Sequence, residues 1–272
     1  MTNIPSVDLS DFLSGNAARK QKFIKEIGEA YEEIGFVALR GHFLSDELTE
    51  NLYKEVKNFF DLPDEKQHLF DIKTAYQRKD DYTPEEFYDR AGIWAEFGKI
   101  ICISVGYFVL KNDIRNFRVT SLFGEEKKIL QDFTDLINQH FSQASHVLCG
   151  HNAKEFDIPY IARRMIIHGM PLPDKINLFG KKPWEVPHLD TLELWKFGDY
   201  KHFTSLKLLT KVLGIPSPKD DIDGSEVAHV FYVENDIDRI ITYCEKDVIA
   251  VAQIFLRLRR EDLLVEDEII HV

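Results

Sequence analysis

Apolar positions change their spacing along the chain, and each spacing predicts an element. From Ala17 to Ile34, Phe23, Ile24, Ile27 and Tyr31 fall on one face of a helix. Gly35-Phe-Val-Ala-Leu-Arg40 is then a short apolar run that reads as a strand. A second helix follows, capped by Ser45, with Leu52, Tyr53, Val56, Phe59 and Phe60 as its buried stripe. These three elements make residues 1–62 a small α-β-α segment. The stretch Asp61 to Asp81 is polar, carries Pro63 and is the expected boundary, so residues 63–272 form the second domain. There, Ile100 to Leu110 reads as a long strand, Asn112-Asp113 as a turn and Phe117 to Leu122 as the hairpin partner. Helices at Glu125–Phe141, Phe156–His168, Ser205–Leu213 and Ile237–Arg260 then alternate with strands at His146–Gly150 and Val186–Leu189. Strands alternating with helices predict an α/β fold with a mixed sheet flanked by helices.

Composition narrows the function classes. Apolar residues are 44% and charged residues 29% of the 272, ordinary for a globular chain and unlike a disordered or fibrous one. No apolar run reaches the roughly 18 residues of a spanning helix, and the first ten residues lack a signal-peptide pattern, so a cytoplasmic protein without a membrane segment is expected. Cys102, Cys149 and Cys244 form no Cys-x-x-Cys pair and read as free core thiols. The net charge of -12 repels phosphate backbones unless cations gather locally. They do so from Arg163 to Lys211, where nine Lys and Arg stand against five acids.

Two constellations can carry chemistry. In His151-Asn152-Ala-Lys-Glu-Phe156-Asp157 an acid follows a strand, where it either faces the crevice at the carboxyl edge of a sheet or caps the next helix. In Tyr243-Cys-Glu-Lys-Asp247 a spacing of four puts a phenol and a carboxylate on one helix face, able to hold a water or substrate oxygen, or simply solvated. In the basic window, Lys181-Lys182-Pro-Trp184 and Lys201-His-Phe203 alternate cations with aromatics. This is the pairing that tracks a single-stranded backbone and stacks bases; the alternative is a solvated face with both rings in the core. Lys207 belongs to the same window.

Together the two constellations resemble the second and third motifs of the tyrosine-containing DEDD 3'-5' exonucleases, which have a ribonuclease H-like fold. Ala95-Glu-Phe-Gly-Lys-Ile-Ile-Cys-Ile-Ser-Val-Gly-Tyr-Phe108, Lys182-Pro-Trp-Glu185 and His188-Leu-Asp-Thr-Leu-Glu-Leu-Trp195 extend the likeness to the predicted DNA-polymerase-B-like 3'-5' exonucleases. The resemblance implies two-metal phosphodiester hydrolysis on single-stranded DNA or frayed 3' ends, with magnesium or manganese held by Asp157 and Asp247. It implies that Tyr243 orients the attacking water, that Asn152 and Phe156 line the pocket for the 3'-terminal nucleotide, and that Asp190 is a structural or supporting acid.

That family also places an Asp-x-Glu on the central first strand of its sheet, and none precedes the exonuclease-like stretch here. Phe70-Asp71-Ile72-Lys73 offers lysine in place of glutamate. Upstream, Ile4-Pro-Ser-Val-Asp-Leu9, Ala30-Tyr-Glu-Glu-Ile-Gly-Phe-Val-Ala-Leu-Arg-Gly-His42 and Val56-Lys-Asn-Phe-Phe-Asp-Leu-Pro63 resemble the N-terminal region of isopenicillin N synthase-like, iron(II)- and 2-oxoglutarate-dependent oxygenases. That region carries no iron ligand in its family, and His188-Leu-Asp190 spells His-x-Asp only inside the exonuclease-like stretch. An oxygenase fragment is thus the weakest reading. A sheet lacking its central strand leaves unpaired backbone groups, and the expectation is that Phe36-Val-Ala-Leu39 fills the gap. Two functions compete: an exonuclease with an impaired site, and a non-catalytic nucleic-acid-binding relic of the same fold.

Overall fold

The computed structural model describes residues 5–33, 37–41, 57, 61–78, 82–111, 114–199, 202–215 and 222–272. It divides into two compact units, Met1–Asp89 and Arg90–Val272.

In the first unit, β1 (Ser6–Asp8) and β2 (Ala38–Arg40) pair in parallel, with Val7 opposite Leu39. Parallel neighbours need a crossover rather than a tight turn, and α1 (Leu9–Leu13) and α2 (Ala17–Glu33) supply it. Asp8 starts α1 by accepting the Ser10 N–H at 2.9 Å. Val7, Phe23 and Ala30 are buried, and Phe12 meets Phe23 at 5.5 Å. The pairing corrects one expectation: Ala38–Arg40 does not join the large sheet, and Arg40 is exposed. The reason is local closure, because β1 is the partner that α2 delivers over a short stretch of chain. Residues 34–36 and the helix expected over 45–60, Lys57 apart, lie outside the described residues.

The polar stretch Asp61 to Asp81 contains helix α3 (Asp64–Arg78). Its inner face is Phe70, Thr74 and Arg78, all buried at spacings of four. Thr74 Oγ1 donates to the Phe70 carbonyl at 2.8 Å and accepts from Arg78 Nε at 2.9 Å. Asp71 is ion-paired with Arg78, so the nearest approach to an Asp-x-Glu sits on a helix and is already engaged.

The second unit runs β3 (Cys102–Lys111), β4 (Ile114–Phe123), α4 (Glu126–His140), β5 (Cys149–Gly150), α5 (Asp157–Ile167), β6 (Leu189–Asp190), α6 (Thr191–Lys196), α7 (Leu206–Val212), α8 (Ile237–Arg259) and β7 (Ile269–His271). It is a ribonuclease H-like α/β unit with a mixed sheet. β3 and β4 are antiparallel, Cys102 opposite Phe123 through Lys111 opposite Ile114, and β7 adds to β4 in parallel. The turn expected at Asn112-Asp113 lies outside the described residues.

Alternation along β4 assigns its two faces. Phe117 and Val119 point to α8, where they meet Ala252 and Leu256, whereas Leu122 with Ile103 and Val105 of β3 packs on Ile129, Leu130 and Phe133 of α4. Gly106 lets α8 approach, since a Cβ there would collide with Phe117 and Val248.

β5 and β6 form a separate parallel pair, Cys149 opposite Leu189 and Gly150 opposite Asp190. Among the described residues no strand pairs with both β3 and β5, so the sheet is in two pieces. The buried strand expected over His146–Gly150 is only two residues long, and Cys149 is exposed. Side chains hold the pieces together. Glu126, buried at the start of α4, accepts the Ile100 N–H at 2.7 Å and Arg164 of α5 at 2.8 and 2.6 Å. Arg164 Nη1 donates in turn to the Ala95 carbonyl at 2.7 Å, and His168 Nε2 lies 2.6 Å from Glu126. α8 packs across β3, β4 and β5.

Candidate functional site

The turn after β5 is fixed by one acid. Asp190, 2% exposed, accepts the N–H groups of Asn152 and Leu192 on Oδ1, both at 2.9 Å, and that of Lys154 on Oδ2 at 3.1 Å. It caps α6 while holding residues 152–154, and Asn152 takes the left-handed conformation (φ 65°) that this tight turn requires. Gly150 belongs to the same turn, since a Cβ there would meet Ala153. His188 is equally committed: its Nδ1 accepts the Leu148 N–H at 3.2 Å and its Nε2 faces the Lys175 carbonyl at 2.8 Å. Burial pulls the imidazole below its ordinary value. With both ring nitrogens used inside the protein, His188-x-Asp190 is a structural clamp and not an iron-ligand pair.

Asp157 is the first residue of α5; the capping position is Phe156, which makes no side-chain cap. Asp157 is exposed to solvent. Desolvation raises its carboxyl pKa, its own backbone N–H lowers it, and the Asp190 charge raises it. Tyr243 and Asp247 stand on α8, where Tyr243 packs with Cys244 on the Ile222, Val230 and Ile240 cluster. The Cys102 side chain and then burial raise the Cys244 thiol, and the Asp247 and Asp157 charges add to the rise. Phe156 is 42% exposed and leans on Tyr160 at 5.7 Å.

The basic and aromatic residues of the window Arg163–Lys211 are largely exposed on the same unit. Pro183–Glu185 forms one 3₁₀ turn, fixed by Glu185 accepting the Lys182 N–H at 2.8 Å. Trp184 stands out from it, 77% exposed, with Lys182 Nζ 5.3 Å from its ring. Lys181 and Lys207 are exposed. Phe203 is 67% exposed, which resolves the alternative that Trp184 and Phe203 belong to the core. Two further rings were not anticipated: Phe179 at 92% and Phe197 at 86% exposed. Each stands beside a glycine, Gly180 and Gly198, and near a lysine, a turn signal that could have marked them. Lys201 lies outside the described residues.

The described residues do not assemble a two-metal centre. The chain has no Asp-x-Glu at any position. Asp190 spends both oxygens on backbone N–H groups. Among the described residues no group of three or more His, Cys, Asp or Glu side chains is arranged to hold a metal ion. Nor is any helix among them long and apolar enough to cross a membrane.

A mixed sheet flanked by helices, with an acid after β5 and a Tyr/Asp pair on the long α8, defines an exonuclease-like α/β protein. The model of predicted 3'-5' exonucleases related to the exonuclease domain of PolB matches residues 93–268, and the chain belongs to that family. The model of the N-terminal region of non-haem dioxygenases in morphine synthesis matches residues 4–105, overlapping the first over 93–105. Among curated proteins, the chain is 40% identical over 65 residues to the 2-oxoglutarate-dependent dioxygenase imqE of Aspergillus flavus, covering 24% of this chain and 18% of that one. It is 40% identical over 60 residues to the 1-aminocyclopropane-1-carboxylate oxidase of Dictyostelium discoideum, covering 22% and 16%. The match to the dioxygenase tropC of Talaromyces stipitatus is 40% over 62 residues, covering 22% and 19%. The chain therefore spans less than a fifth of the curated relatives it matches.

Proposed function

We propose that this protein binds single-stranded nucleic acid through an exonuclease-type unit that does not hydrolyse it. The observation that carries the reading is the exposed set of Phe179, Trp184, Phe197 and Phe203, interleaved with Lys181, Lys182, Lys196 and Lys207. A monomer gains nothing from four large rings in water, whereas rings between cations stack bases and neutralise phosphates. Among the described residues no three or more His, Cys, Asp or Glu side chains are grouped to hold a metal ion, which favours binding without cleavage. In this reading residues 63–272 are the nucleic-acid-binding domain and residues 1–62 an oxygenase-like N-terminal segment without iron chemistry. Three free cysteines suit a reducing, cytoplasmic setting.

Fluorescence anisotropy of a labelled oligothymidine tests this. Binding that falls steeply with salt and is lost in Lys182→Ala/Trp184→Ala supports the reading; no binding at low salt overturns it.

A second reading keeps hydrolysis. What favours it is that Tyr243 and Asp247 stand one turn apart on α8. The family's divalent ions, magnesium or manganese, would then need carboxylates from elsewhere. Asp157 and Asp247 would be their ligands, Tyr243 would orient water, and Asn152 and Phe156 would hold the 3' end.

A further inference from the structure

We infer that Lys99, Phe231, Tyr232 and Asn235 form a site for one nucleoside monophosphate unit, with the base in an aromatic corner and the phosphate on the lysine. Phe231, Tyr232, Asn235 and Ile237 line a cavity of about 190 Å³. The two rings meet at 4.9 Å and 85°, which makes the corner right-angled. Lys99 Nζ lies 5.0 Å from the centre of the Phe231 ring and 5.8 Å from that of Tyr232, so one cation serves both rings.

The local backbone builds this corner. Val227–His229 is a single helical turn that widens into a π-helical turn over Val230–Glu234. A π turn adds a residue to the ordinary helical spacing, and such turns gather at functional sites. Asn235 ends it in the left-handed conformation (φ 56°), and Asp236 then starts α8 by accepting the Arg239 N–H at 3.0 Å. Val230 is thereby buried while Tyr232, two residues on, is 60% exposed.

Charge, hydrogen bonding and size select the ligand. The acid of the turn, Glu234, is taken by Arg239 and His229. Lys99 is exposed and, among the described residues, pairs with no carboxylate, which leaves its charge for an anion. Asn235 Nδ2 donates to the Val233 carbonyl at 3.3 Å, so its Oδ1 can accept from the ring or exocyclic N–H of a base, a donor that a plain aromatic ring lacks. The cavity is smaller than the roughly 300–1,000 Å³ of drug-sized sites, so it takes one planar ring and leaves sugar and phosphate outside, beside Lys99. These contacts use residues other than Phe179, Trp184, Phe197 and Phe203, and the site is independent of the strand-binding reading.

The test is a ligand-observed NMR titration of the full-length protein with AMP, and with adenosine and ribose 5-phosphate as its two halves. AMP should bind with saturation transfer strongest at the base protons, adenosine more weakly and ribose 5-phosphate weakest. Tyr232→Ala should weaken AMP about tenfold while Tyr232→Phe holds it. Lys99→Gln should bring AMP down to the affinity of adenosine, and Trp184→Ala should leave it unchanged, so that this site and the strand-binding surface fail separately. Competition by oligothymidine assigns the site to a nucleotide of a strand, and its absence to the free monophosphate; either supports the inference. No AMP binding to the wild type at millimolar concentration, ribose 5-phosphate binding as tightly as AMP, or AMP binding unchanged in Tyr232→Ala overturns it. The wild-type titration decides even where a variant fails to fold.

Discussion

The two pieces of sheet in the second unit are built on different principles. β3 and β4 are ten residues each, paired along their whole length, with a core face toward α4 and another toward α8. Their register comes from a short connection and period-two alternation, so the piece largely specifies itself. β5 and β6 are two residues each, too few for backbone pairing alone to hold. Asp190 and His188, clamping backbone groups on both sides, do that work instead. Where a strand pairs at length, the backbone carries the geometry; where a sheet is interrupted, buried polar side chains take over. The candidate acids Asp157 and Asp190 both lie on the side that depends on side chains.

The strongest way to break this arrangement is to remove the joint between the pieces. Glu126→Ala would leave Arg164 buried without its carboxylate and Ile100 without an acceptor, and should cost about 3–5 kcal/mol in urea unfolding. The same joint gives a pH signature. Burial pushes the Glu126 carboxyl up, but the hydrogen bonds from Arg164, the Ile100 N–H and His168 outweigh it and hold the group at about 2 rather than 4.5. A lowered folded pKa means that its contribution is complete above pH 4.5 and is lost as pH falls toward about 2. Unfolding midpoints measured across that interval should drop for the wild type and stay flatter in the variant.

Next in size is Asp190→Ala, which leaves three N–H groups without their acceptor and should cost about 2–4 kcal/mol. Hydrogen exchange sharpens the comparison here, with protection lost around residues 149–154 and retained in the β3–β4 hairpin. Trp184→Ala should leave stability within about 0.5 kcal/mol, because the ring is already in water, while weakening oligothymidine binding about tenfold in anisotropy. Among the substitutions expected to lower stability, the smallest loss belongs to Arg115→Ala. It removes a partly exposed pair with Glu268 at 2.9 Å and bonds to the Asp262 and Leu263 carbonyls, for about 1 kcal/mol in the same unfolding assay.

Those elements also show what could be read in the chain beforehand. The hairpin, α2, α4, α5, α7 and α8 were legible because their periodicity runs long enough to average over exceptions. β1 and β7 were not, since three residues carry no period, and of the strands expected over His146–Gly150 and Val186–Leu189 only the ends pair, as Cys149–Gly150 and Leu189–Asp190. α3 hid behind polar residues because Thr74 and Arg78, not apolar side chains, fill its inner face beside Phe70. The fate of Ala38–Arg40 depended on a partner, β1, that no spacing revealed. At the candidate site the residue types at Asp157, Tyr243 and Asp247 were visible, but Asp190 satisfying three amides was not. The exposure of Trp184 and Phe203 could not be told from burial by composition, because lysines flank aromatic rings in either case.

The most direct test is incubation of 5'-labelled single-stranded DNA with the protein and manganese, resolved on a denaturing gel beside an Asp157→Ala/Asp247→Ala double variant. The account predicts DNA that is bound in a parallel mobility shift and stays full length with both proteins. A ladder shortening from the 3' end that disappears in the double variant would contradict it, and would mean that another acid completes a working metal site.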